Sequence, residues 1–154
     1  MISVIIPTLN EKSTIDSTLQ YLQNLEGNIE VIVVDGGSKD GTVEAAEGYS
    51  SVVFSSPGRA VQMNMGAKST QGETLLFLHA GTILPREVFL LIEEALSDTK
   101  VIGGRFRIQL DNFRPIFRLI SRGINLRDRL IGGFTGDQAI LVRREVFEKM
   151  GSYR

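Results

Sequence analysis

An acidic residue ends an apolar, β-branched run: Glu30-Val31-Ile32-Val33-Val34 leads directly into Asp35. A carboxylate at the end of a buried strand is costly to desolvate unless something donates to it. It can accept from a nucleobase N–H or a ribose hydroxyl. Gly36-Gly37-Ser38-Lys39-Asp40-Gly41-Thr42 follows, and its glycines let a ligand approach the backbone closely. The same stretch also reads as a turn in which Asp40 caps the next helix. It is not the dinucleotide fingerprint, because no G-x-G-x-x-G follows the first apolar run.

Other polar groups follow other apolar runs. Val4-Ile5-Ile6, ended by Pro7, is followed by Thr8, Asn10 and Glu11, which also read as a helix cap. Gly58-Arg59 opens a helical stretch with Gln62, Asn64 and Lys68 behind it. The forked guanidinium of Arg59 suits a phosphate, and a helix N-terminus adds a favourable field for an anion. A solvated surface arginine is the plain alternative. The chain's single histidine, His79, follows Thr74-Leu75-Leu76-Phe77-Leu78 in the run His79-Ala80-Gly81-Thr82. Asp137 lies in Gly132-Gly133-Phe134-Thr135-Gly136-Asp137-Gln138, where a carboxylate can serve as general base. Each feature is weak alone; together they put polar groups after successive strands.

That placement matters because ligands of open α/β sheets bind beyond the carboxyl ends of the strands. The elements that must do the positioning alternate. Ile15, Leu19, Leu22 and Leu25 recur at helical spacing between the first two strands. Residues 42–48 read as a short helix, 51–55 as a strand and 59–69 as a helix with Met63 and Ala67 on one face. Pro85 sits at a helix start, with Val88, Leu91, Ile92 and Leu96 as the apolar face. Residues 101–110 read as one long strand with one wet face, 112–129 as a helical region, 139–142 as a strand and 144–150 as a helix. The expected class is α/β, a Rossmann-like, mostly parallel sheet with helices on both faces.

The bulk properties exclude several classes. The chain of 154 residues is one domain by size. A net charge of −1 gives no basic footprint, so no nucleic-acid partner is expected. With no cysteine, disulfides and thiolate metal sites are ruled out. No basic n-region precedes the first apolar run, and no stretch approaches the roughly 18–20 apolar residues of a membrane span. A cytoplasmic protein is expected, with the inner face of the membrane, peripheral contact there and homodimerisation left open. The chain stops just after an apparent helix, which suggests a truncated or partial chain.

Ser3-Val4-Ile5-Ile6-Pro7-Thr8-Leu9-Asn10-Glu11 and Val31-Ile32-Val33-Val34-Asp35-Gly36-Gly37-Ser38-Lys39-Asp40-Gly41-Thr42 resemble the opening of family-two inverting glycosyltransferases of the GT-A fold. Gly58-Arg59-Ala60-Val61-Gln62-Met63-Asn64-Met65-Gly66-Ala67, Leu76-Phe77-Leu78-His79-Ala80 and Gly136-Asp137-Gln138 resemble a small bacterial subgroup associated with radical-SAM and selenoprotein-domain genes. The resemblance implies a nucleotide-diphospho-sugar donor, an acceptor of unknown identity and one in-line displacement with inversion. It implies a nucleotide-sugar half over residues 1–100 and an acceptor-side half over 101–154. Pro7, Thr8, Asn10, Glu11, Asp35, Gly36, Arg59, Asn64, His79 and Ala80 would hold the donor, and Asp137 would be the base. It also implies a divalent Mn²⁺ or Mg²⁺ on the aspartate of His-Ala-Asp-Thr. This chain has Gly81 there, which offers no side-chain oxygen to a hard cation, and leaves His79 as the candidate ligand. A catalytically impaired relative that binds nucleotide or a partner is therefore the rival expectation. A sugar-1-phosphate nucleotidyltransferase would need a glycine-rich, basic loop where Thr8-Leu9-Asn10-Glu11 stands.

Overall fold

A computed structural model describes residues 1–106 and 139–153. The chain order is β1 (Ile2–Thr8), α1 (Lys12–Gln23), β2 (Ile29–Asp35), α2 (Thr42–Glu47), β3 (Ser51–Phe54), α3 (Arg59–Lys68), β4 (Thr74–Phe77), α4 (Val88–Ser97), β5 (Gly103–Arg105), β6 (Ile140–Arg143) and α5 (Arg144–Lys149). The strands form one sheet in the order β3-β2-β1-β4-β6-β5. β1 to β4 run parallel to one another; β6 runs antiparallel to both β4 and β5.

The continuous apolar runs form strands because both faces of the sheet are covered. Val4, Ile6 and Leu76 pack with Ile15, Leu19, Leu22, Val88, Phe89 and Ile92 on one face. Ile5, Val34, Leu75 and Phe77 pack with Ala67 and Phe147 on the other. α3 lies close because Gly66 is bare: a Cβ there would run into Ile5 and come 3.1 Å from Val34 Cγ2.

Pro7 does not end β1 as expected but lies inside it, opposite Val34. Leu78 N donates to Ile5 O, so residue 5, and by alternation residue 7, faces the β4 side. The paired stretch of β4 ends at Phe77, so the missing N–H of Pro7 breaks no rung.

Two other expectations change. α4 begins at Val88, three residues after Pro85, and buries Phe89 while Leu91 is 45% exposed. The strand expected over 101–110 covers only Gly103–Arg105 among the described residues. Lys100 N donates to Asp98 Oδ1 and Val101 N to Asp98 O, and this turn takes up Val101 before pairing starts. Residues 107–110, the helical region 112–129 and Asp137 lie outside the described residues.

β1 is the switch point. The chain leaves it through α1 to β2 on one side and returns through α3 to β4 on the other. Thr8 pairs with Asp35 in register, so the carboxyl ends of β1 and β2 open into one crevice, where such a sheet binds ligands.

Candidate functional site

Asp35 is 1% exposed, and its carboxylate is held entirely by the chain. Oδ1 accepts from the Gly37 and Ser38 amides, both at 2.8 Å. Oδ2 accepts from Thr8 Oγ1 at 3.2 Å and Ser38 Oγ at 2.5 Å. Burial pushes the carboxyl pKa up. The Ser38 hydroxyl and amide, the Gly37 amide and the Thr8 hydroxyl outweigh it and hold it below the usual range. A carboxylate has about four lone-pair sites, and these donors fill them. A ligand donor reaching Asp35 must therefore displace one of them. The Ser38 and Thr8 hydroxyls, unlike the two backbone amides, can turn their hydrogens away.

Four further contacts stitch the β1–α1 loop to the β2–α2 loop. Asn10, at φ 58°, donates its amide to Ser38 Oγ (2.8 Å), and its Oδ1 accepts from Lys39 N (2.9 Å). Glu11 N donates to Thr42 Oγ1 (2.9 Å), and Lys12 N to Asp40 Oδ2 (3.1 Å). Asp40 also accepts from the Thr42 amide at the start of α2, but from one residue before the N-cap position, which Gly41 occupies. Asn10 caps nothing: α1 starts at Lys12 behind Glu11, without a side-chain cap. Its polarity serves the crevice rim instead. Glu11 is half-buried, with Oε2 accepting from Thr14 Oγ1 at 2.9 Å.

α3 supplies the wall. Gly58 takes φ 139°, and exposed Arg59 is the first helical residue. Gln62, one turn on, is 4% exposed. Its Nε2 donates to Thr8 O (2.7 Å) and Val34 O (2.8 Å), and its Oε1 accepts from Gly58 N (3.3 Å). Gln62 is not among the donor residues the resemblance implies, although the sequence puts an amide at a helix position that also has to face the sheet. Asn64 is not brought to the crevice. It exchanges two bonds with the Tyr153 backbone, at 2.9 and 3.0 Å, because two residues along a helix turn the side chain about 200°.

After β4, His79 O accepts from Thr82 N (3.1 Å) in a tight turn with Gly81 at its third position and φ 83°. That positive φ is what glycine supplies in a type II turn. Gly81 N donates to Thr18 Oγ1 (2.8 Å), which moors the turn to α1. His79 is half-buried, with Nδ1 2.9 Å from Ala80 O, and Ala80 is buried. Among the described residues no three His, Cys, Asp or Glu side chains group to hold a metal ion. Asp35 is fully engaged and Gly81 has no side-chain oxygen, so neither offers a spare side-chain oxygen to the divalent metal the resemblance implied. A cavity of about 340 Å³, lined by Leu19, Leu22, Leu25, Ile29, Val31 and Tyr49 among others, lies by the start of β2, away from Asp35.

The chain matches Glycosyl transferase family 2 over residues 3–151. It is 30% identical over 142 residues to a dolichol-phosphate mannosyltransferase of Pyrococcus furiosus, across 84% of this chain and 40% of that one. It is 33% identical over 148 residues to a dolichyl-phosphate beta-glucosyltransferase of Drosophila melanogaster, across 77% and 45%. The chain thus spans less than half the length of these two relatives. A mannosyltransferase from Pyrobaculum calidifontis, solved with GDP-Man and Mn²⁺, superposes with a TM-score of 0.77 at 23% identity, covering 99% of this chain and 47% of that one. Glucosyl-3-phosphoglycerate synthase from Mycobacterium tuberculosis, solved with Mn²⁺ and UDP, superposes at 0.67 and 23% identity, covering 96% and 58%. Sheet order, crevice and matches agree: this chain belongs to glycosyltransferase family 2 and has the GT-A fold.

Proposed function

We propose that the chain holds a nucleotide-diphospho-sugar across the carboxyl ends of β1, β2 and β4 and transfers its sugar, with inversion, to an acceptor oxygen, of a hydroxyl or of a phosphate. The observation that carries this is the Thr8–Asp35 register, which brings both polar strand ends into the switch-point crevice of a family-2 chain. Base and ribose meet Asp35, Thr8 and the rim formed by Pro7, Asn10, Glu11 and Gly36. Arg59 and the first amides of α3 face the diphosphate, and His79 and Ala80 close the β4 side. Where the acceptor is a hydroxyl, Asp137 takes its proton as the oxygen bonds to the anomeric carbon; an ionised phosphate oxygen attacks without that step. The bond from that carbon to the diphosphate breaks, and the nucleoside diphosphate leaves. No step is assigned to a metal, and donor binding should depend weakly on Mn²⁺. The motifs around Arg59 and His79 support placement in the bacterial radical-SAM-associated subgroup. The names of the Pyrococcus and Drosophila relatives make a polyprenyl phosphate, and with it a membrane surface, the first acceptor to try.

Gly81 favours a second reading, an impaired relative that binds donor without turnover. Calorimetry with UDP-glucose and GDP-mannose, with Mn²⁺ and with chelator, tests the first. Asp35→Ala should weaken binding roughly tenfold or more, the worth of a hydrogen bond to a charged group. Unchanged affinity in a folded variant would remove Asp35 from the donor site. Binding without any transfer to a panel of hydroxyl and polyprenyl-phosphate acceptors would select the second reading.

A further inference from the structure

We propose that Gln62 is a positioning residue of the donor site: one buried amide sets the spacing between the strand ends and the helix that carries Arg59. The assignment rests on the donor reading above. β1 and β2 are already paired through their ladder, so Thr8 O and Val34 O are a pair of carbonyls at the mouth of the crevice. Gln62 Nε2 spans them at 2.7 and 2.8 Å. An amide nitrogen has two hydrogens, and both are used. The remaining Oε1 takes the Gly58 amide, immediately before Arg59, at 3.3 Å. Three elements therefore meet on one planar group that is 4% exposed.

The surroundings leave this group little room. A Cβ on Gly36 would stand 3.2 Å from both Gln62 Cδ and Nε2. Bare Gly66 lets α3 approach the sheet so that Gln62 can reach both carbonyls. Gln62 touches Thr8 through its carbonyl, and Asp35 only through the neighbours Thr8 and Val34. Its effect on a ligand is therefore indirect: it fixes where Arg59 stands relative to the Thr8–Asp35 pair. A mere core residue would share the burial. It would not join the backbone of both strand ends to the residue before the phosphate-facing arginine.

The test is UDP-glucose and GDP-mannose calorimetry on wild type, Gln62→Met, Gln62→Glu and Thr70→Val. Thr70 lies at the far end of the same α3 region, bonded to Gly66 O and Arg144, and serves as a destabilised control. Well below every melting midpoint, Gln62→Met should lose about tenfold in affinity, the order expected for hydrogen bonds that hold a binding geometry. Thr70→Val should stay within about twofold at a comparable loss of stability. Gln62→Glu gives a pH signature: a protonated acid donates one bond to the paired carbonyls, and the carboxylate repels both. Its affinity relative to wild type should rise as pH falls from 8 to 5. If Gln62→Met does not fold, that ratio alone decides. Wild-type binding with Gln62→Met equal to Thr70→Val, or a flat Gln62→Glu ratio, overturns the positioning role and leaves the donor reading intact. Wild type that binds neither nucleotide sugar overturns the donor reading, and this assignment with it.

Discussion

The two ends of the sheet are built from similar polar groups and put them to opposite use. At the amino end, Arg144 donates Nε to Gly72 O (2.7 Å), Nη1 to Ala67 O (2.5 Å) and Nη2 to Thr70 Oγ1 (3.0 Å). Glu30 Oε1 accepts from Ser3 Oγ, Gln71 N and Gly72 N, each at 2.7 Å. Those charges are spent on closing the structure. At the carboxyl end the bonds run between loops, and the backbone is unusual. Asn10, Gly37, Gly41, Gly58 and Gly81 all have positive φ there; among the described residues only Gly151 and Ser152 share that conformation elsewhere. Uncommon backbone conformations persist where neighbours impose them, and they cluster at functional sites. Burial and bonding alone therefore do not mark this site. The coincidence of bonded carboxylate, left-handed backbone and strand ends does.

Cutting the amino-end clamp should have the largest effect on stability and almost none on the crevice. Arg144→Ala strands two backbone carbonyls and should cost about 3 kcal/mol in urea unfolding. Nucleotide-sugar affinity of the folded protein should stay within about twofold. A tenfold loss of affinity would show that the two ends are coupled.

Acid sharpens the same contrast. Burial raises the Glu30 carboxyl, but the Ser3 hydroxyl, the Gln71 and Gly72 amides and the Arg144 charge more than offset it, so its pKa is lowered, as is that of Asp35. A lowered folded-state pKa gives stability that is full above the unfolded values, 4.5 and 3.8, and lost as pH falls through the folded ones. Glu30→Gln and Asp35→Asn should each flatten the acid limb of a stability–pH curve below those values. Only Asp35→Asn should also weaken donor binding at neutral pH. Identical behaviour of the two variants in both assays would erase the distinction between the ends.

Smaller effects are expected at the β4 turn and on α3. Gly81→Ala and Gly81→Asp should each cost about 1 kcal/mol or somewhat more, because φ 83° disfavours a Cβ. If the missing carboxylate is what limits metal binding, only Gly81→Asp will gain Mn²⁺-dependent donor affinity; equal affinities would end that argument. Asn64→Ala should cost about 1 kcal/mol by losing its exchange with Tyr153, with donor affinity unchanged. A loss of affinity would return Asn64 to the site.

The parallel sheet was legible because Val4–Ile6, Val31–Val34 and Thr74–Leu78 are apolar on both faces, which only a doubly covered strand needs. Asp35 was legible because an acid after such a run demands partners. Its partners were not: Ser38 and Gly37 look like ordinary turn residues until the chain folds back on the carboxylate. Gln62 and Asn64 are two places apart with similar chemistry, and only the helix phase against the sheet separates a crevice residue from a strap for Tyr153. Gly81 read as a lost ligand; the backbone adds that the turn itself calls for glycine. The start of β5 was hidden because the sequence pattern runs on from Val101, while the Asp98 turn decides where pairing begins.

The most direct test of the central claim is amide chemical-shift mapping of the isotope-labelled protein titrated with UDP and with GDP. At least one nucleotide should move the amides of Gly37, Ser38, Gly58, Arg59 and Gly81, while those of Ser3, Gln71 and Gly72 stay in place. Shifts confined to the amino end or to the cavity beside Tyr49, with the Gly37 and Arg59 amides unmoved, would contradict it.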